Sequence, residues 1–165
     1  MKKLKEKAKT PIDATEQFLA VHGTVDDLRL HALLWFNAFE QTMRSILAWR
    51  LGCADSSLPR SLTNSSSLLF NVTLAGHDQL RKHVEKFAQA RNSIAHRFHE
   101  GGYEQQLGNF CEQVLGESWP DGEEQKLKFL SKAVRHLAID IACAVDETPP
   151  RSDFPFPQLL FELGE

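Results

Sequence analysis

Apolar residues recur along this chain at helical spacing, and the spacing breaks at glycine, proline and polar clusters. Leu28, Ala32, Trp35, Phe36, Phe39, Met43, Ile46 and Leu47 fall on one wide face, which predicts a long helix. It starts behind Thr24-Val25-Asp26-Asp27, a capping box with Asp in place of Glu, and ends near Leu51 with Gly52 as C-cap. A shorter helix is expected before it, from Thr10-Pro11 to about Gly23. Residues 53–66 hold Pro59, Asn64 and several serines without periodicity and read as a loop. Ser67 to Ala75 reads as a short helix ending at Gly76, and a second long helix runs from about His77 to Phe98, stopped by Gly101-Gly102. Tyr103 to Leu115 is a shorter helix, and Pro120-Asp121-Gly122 is a turn. The last long helix, from about Glu123 to Val145, carries Leu127, Leu130, Val134, Leu137 and Ile141 on one face and ends before Pro149-Pro150. No alternating run marks a strand, and no internal repeat is present.

These elements predict an all-α, up-and-down helical bundle. The expected division is a basic flexible segment over 1–9, one helical-bundle domain over 10–147 and a Pro/Phe-rich tail over 148–165. Phe154, Phe156, Leu159, Leu160 and Phe161 make that tail too apolar to float freely. It either packs on its own body or docks on a second subunit or partner.

Composition narrows the function classes. With 165 residues, 42% hydrophobic and 25% charged, the chain fits one globular domain and not a disordered one. Its longest apolar runs, such as Ala32-Leu33-Leu34-Trp35-Phe36, are too short to span a bilayer, so no membrane partner is expected. The lysine-rich start has no apolar segment behind it and does not read as a secretory signal. Cys53, Cys111 and Cys143 show neither a disulfide framework nor zinc spacing and suit a reducing, cytoplasmic setting. Residues 1–10 carry five lysines and one glutamate, +4, so the net charge of −3 leaves −7 on the rest. A body of that sign does not hold polyanions by bulk charge, and any such contact must be local.

One segment fits that requirement. Residues 77–100 carry five Arg/Lys against three Asp/Glu, and four of the seven histidines. On a helical wheel Arg91 falls within about 60° of Leu80, Val84, Phe87, Ile94 and Phe98. A guanidinium on an apolar face cannot shed its proton, so it must be paired or face a cleft. Glu40 is the candidate partner, because it too interrupts an apolar face, beside Phe36, Met43 and Leu47. Arg81, Glu85, Asn92, His96 and His99 form the polar stripe, with Asn92 and His96 at i,i+4, close enough to share a hydrogen-bond network. The basic, histidine-rich character favours an anion such as phosphate. His96 also reads as a helix-end histidine favoured by the C-terminal dipole. His96 and His99 have i,i+3 spacing for a metal but no evident third ligand, so neither metal nor cofactor is expected. No glycine-rich phosphate loop or nucleophile elbow accompanies the serines.

Arg91-Asn92-Ser93-Ile94-Ala95-His96 resembles the signature of the HEPN superfamily (higher eukaryotes and prokaryotes nucleotide-binding): an Arg, usually a polar residue, then a His after a short interval. The order of helices over residues 24–146 is similar as well. The resemblance implies an all-α bundle that commonly forms two-fold dimers, many members being metal-independent endoribonucleases whose Arg and His meet in a cleft between subunits. It implies His96 as general acid/base, Arg91 as the ligand of the scissile phosphate and Asn92 as the residue orienting the pair. Arg81, Arg97 and His99 are the expected further phosphate contacts, and Glu40 the supporting acid. The implied partners are a second copy of the chain, RNA, and an antitoxin or regulatory protein in a toxin or defence setting. Other members lack catalysis and bind RNA, a nucleotide or a protein, and that alternative stays open here. Toxin members often carry Tyr two residues after the His as an antitoxin's modification target. Phe98 stands there in this chain, and Tyr103 is its only tyrosine.

The implied chemistry needs few groups. RNA supplies its own nucleophile, the 2′-hydroxyl. An imidazole can take or deliver the proton, and a guanidinium can stabilise the phosphorane oxygens. Arg91 and His96, however, lie about 140° apart on an ideal helix. Either the helix end is distorted or two copies share the site.

Overall fold

A computed structural model of the protein describes residues 11–13, 15–16, 27–96 and 102–145. Regular structure among them is all helical, with no strand. Residues 11–13 and 15–16 are helical, and Ile12 is buried. Segment 1–9 and tail 148–165 lie outside the described residues.

Helix α1 spans Leu28–Leu51. Its N-cap is Asp27; residues 24–26 of the expected capping box lie outside the described residues. Asp27 holds an extended conformation, and its carboxylate accepts the Arg29 N–H at 2.9 Å. Burial pushes the Asp27 carboxyl up, but hydrogen bonds and charge from Arg29 outweigh it and hold the group below its ordinary 3.8. Gly52 ends the helix at φ 68°, a left-handed conformation that suits glycine, while the Cys53 N–H reaches back to the Ala48 carbonyl at 3.0 Å.

The expected loop over 53–66 is partly helical. A 3₁₀ turn at Asp55–Ser57 is tied to α1 by the Ser45 hydroxyl, which donates to Asp55 at 2.6 Å. Helix α2 (Arg60–Thr63) follows, and then α3 (Ser66–Thr73), capped by the Ser65 hydroxyl. Helices α4 (Asp78–His96), α5 (Tyr103–Leu115) and α6 (Glu123–Val145) stand where the apolar spacing predicts them.

Phenylalanines join these helices into one core. Phe36 and Phe39 of α1, Phe70 of α3, Phe87 of α4 and Phe110 of α5 are all buried. Phe87 stacks on Phe110 at 4.5 Å between centroids and meets Phe36 edge-on at 5.1 Å. Such pairs add about 0.5–1.5 kcal/mol beyond area burial.

The expected up-and-down alternation fails at α6. Helix α4 runs against α5: its Gln79–Lys86 end opens beside Gln113, and its His96 end beside Gln106. Helices α1, α5 and α6 start at one common end, where Asp27, Tyr103 and Glu123 line a single depression and Lys126 pairs with Glu104. Helix α6 therefore runs parallel to α5. Residues 116–122 lead back along α5, with Trp119 against Gly108, where a Cβ would meet its ring at 3.1 Å. Glu112 accepts the Trp119 N–H at 2.8 Å and fixes this return.

Candidate functional site

Helix α4 presents a polar crest between two flanks. Val84, Phe87, Ala90 and Ile94 are buried and anchor it. Glu85, Gln89 and Asn92 are exposed along the crest. Arg91 faces one flank, toward α1 and α3, and His96 faces the other, toward α5.

The Arg91 flank is a depression of about 300 Å³. Phe36 and Phe70 contribute to its lining from the core, with Ser66, Ser67 and Asn71 along α3 and Arg81, Glu85 and Gln89 along α4. Arg91 is half-buried, its guanidinium lies 5.6 Å from the Phe36 ring centroid, and Nη1 donates to Asn92 Oδ1 at 3.1 Å. The ring face attracts the cation without neutralising it. No described carboxylate lies within ion-pair distance of Arg91. Of the two arrangements the sequence allows, pairing or a cleft, the structure has the cleft.

Glu40 does not hold Arg91. Its Oε1 accepts from Arg44 Nη2 at 3.0 Å and from the Ser66 hydroxyl at 2.9 Å, with the carboxylate side chain only 17% exposed. Arg44 sits one turn along the same helix and reaches Glu40 with little ordering cost. Through Ser66, Glu40 fastens the start of α3, which carries the serines of the depression.

Arg81 lines the same depression. It pairs with Asp78 at 3.1 Å and lies 3.9 Å from Glu85. These contacts are partly exposed, so water weakens them and a phosphate could compete for the guanidinium. Arg97 and His99 lie outside the described residues.

The His96 flank is more open. His96, the last described residue of α4, is exposed and shares a depression of about 400 Å³ with Gln89, Asn92, Ser93 and Gln106. No described residue hydrogen-bonds its ring. Helix α4 is regular through His96, so the expected divergence from Arg91 persists. Asn92 and Gln89 border both flanks. Beyond Gln89 a third depression, of about 430 Å³, holds Lys82, His83, Lys86 and Gln113. Burial pushes the His83 imidazole below its ordinary pKa, Asp140 opposes this and Lys86 adds to it.

The sequence reading missed Phe36 as the platform for Arg91, because its apolar spacing gives it only as core. It also missed Ser66 and Ser67, which read as loop composition, and Gln89, which carries no charge or periodic signal. Among the described residues no three His, Cys, Asp or Glu side chains gather in a metal-binding group. No described helix is long and apolar enough to cross a membrane.

Compared with family models, curated proteins and solved structures, the chain matches none of them.

Proposed function

We propose that the chain is a HEPN-like, metal-independent endoribonuclease, acting as a two-fold dimer in a toxin or defence setting. One observation carries the reading: Arg91 is half-buried, fixed by Asn92 and Phe36, and unneutralised by any described carboxylate at the wall of an open depression. An uncompensated guanidinium held that way suits an anion with several oxygens.

Within one chain His96 opens on the far side of Asn92. A two-fold arrangement across the α4 crest sets Arg91 of one copy against the partner subunit's His96. Arg91 then holds the non-bridging phosphate oxygens, and Asn92 keeps its fork in place. The partner's His96 takes the proton from the 2′-hydroxyl. The 2′-oxygen attacks phosphorus, the bond to the 5′-oxygen breaks, and that oxygen takes a proton from water, the imidazolium later returning its own proton to solvent. The products are a 2′,3′-cyclic phosphate and a 5′-hydroxyl. RNA brings the nucleophile, so the scheme calls on no metal or cofactor.

A second reading, a HEPN-like protein that binds RNA, a nucleotide or a protein partner without cleaving RNA, is favoured by the exposed His96 ring, which no described residue orients. Incubating the purified protein with total RNA in EDTA separates the two. The first reading predicts cyclic-phosphate ends that disappear in Arg91→Ala and His96→Ala, with both variants folded and dimeric. A wild-type dimer inert on RNA moves the assignment to the second.

A further inference from the structure

The two depressions on the α5 side of α4 meet at Gln89, which also borders the Arg91 depression. Together they make one groove between α4 and α5, from Gln79 to His96. Carboxamides dominate its lining: Gln79, Gln89 and Asn92 on α4, Gln106 and Gln113 on α5. Lys82 and Lys86, one turn apart, supply the positive charge. Among the described lining residues the one carboxylate is Glu85 on the crest, 3.9 Å from Arg81; Asp140 acts on His83 from outside the lining. Carboxamides donate and accept at once, as base edges require, and lysines provide point charges for phosphates.

From these observations we infer that the α4–α5 groove is the path of a single RNA strand, entering over Lys82 and Lys86 and reaching the cleavage site at Asn92 and His96. Seventeen helical steps span about 25 Å, room for about four nucleotides. Packed helices lie about 8–10 Å apart, so the groove between them seats one strand and not a duplex. The lysine-bearing end lies away from Arg91, so the groove adds contacts that the cleavage site does not make. The inference rests on the ribonuclease reading for the nature of the polyanion, and its test separates the two.

The full-length protein is titrated into labelled 2′-O-methyl oligoribonucleotides, which cannot be cleaved, and anisotropy is followed at several salt concentrations. A single-stranded hexanucleotide is expected to bind at least about tenfold tighter than a dinucleotide or a blunt duplex. The double variant Lys82→Gln/Lys86→Gln is expected to lose about tenfold on the hexanucleotide and to lower the salt slope by about 1.4. A matched pair on α6, Lys128→Gln/Lys132→Gln, controls for loss of bulk charge and is expected to bind as wild type. Circular dichroism checks folding of each. Failure of wild type to bind the hexanucleotide overturns the groove, as does equal binding by the groove variant or by duplex. If RNA cleavage dependent on Arg91 and His96 persists while the lysine pair proves irrelevant, only the groove falls. If the hexanucleotide binds through the lysines and RNA is never cleaved, the groove stands and the ribonuclease reading falls.

Discussion

The two flanks of α4 carry the two halves of the same motif under different physical control. On one flank Arg91 rests over Phe36, a buried member of the phenylalanine core, and is tied to its neighbour Asn92. On the other flank His96 stands exposed at the last described turn of its helix, and the described residues around its depression are all polar. Packing sets the arginine, whereas no described side chain holds the histidine. Stability and phosphate binding should therefore be coupled on the first flank and separable from chemistry on the second.

The strongest way to break that contrast is Phe36→Ala. It removes a ring that meets Phe70, Phe87 and the Arg91 guanidinium. The expected loss is about 3–5 kcal/mol in urea unfolding, with RNA affinity falling as well. Unchanged affinity in a folded Phe36→Ala protein would show that the core does not place Arg91. Next is Glu40→Ala. It removes the carboxylate that accepts from Arg44 and Ser66 and is expected to cost about 1–3 kcal/mol, with RNA binding reduced less than in Arg91→Ala. An equal loss in the two variants would mean that Glu40 supports the arginine after all.

Asp27 provides a milder control, since it lines neither flank's depression. Its folded pKa is lowered, so its contribution is full above the ordinary value of 3.8 and drains away as pH falls through the lowered folded value. Unfolding followed from pH 6 to pH 2 (roughly, the carboxylate range) should show Asp27→Ala and wild type converging at the acid end. At neutral pH the variant is expected to sit about 1 kcal/mol lower. The smallest expected effect on stability is His96→Ala, within about 0.5 kcal/mol of wild type. A larger loss would place His96 in a structural contact and not at an open site.

Much of this was legible in the chain. Gly52, Leu115 and the apolar faces of α1, α4, α5 and α6 carry local signals of period and capping, and those helices fall where predicted. The divergence of Arg91 and His96 was legible too, because helical spacing alone fixes it. What the sequence hid depends on contacts distant along the chain. The i,i+4 spacing offers Arg44 to Glu40, but nothing local says that Ser66 joins that pair, that Phe36 supports a guanidinium, or that Trp119 lies on Gly108 and returns α6 parallel to α5. The described start of α1 is fixed at Asp27, whose carboxylate accepts the Arg29 N–H.

The composite site is tested most directly by mixing the two inactive variants. Arg91→Ala and His96→Ala proteins are unfolded together, refolded so that subunits exchange, and assayed on RNA in EDTA. If Arg91 acts with the partner subunit's His96, each mixed dimer keeps one intact site, and about a quarter of wild-type activity returns. If mixed dimers form, confirmed by mass, and the preparation stays inactive while wild type refolded alongside cleaves RNA, the two groups do not work across the two-fold axis and the account is wrong.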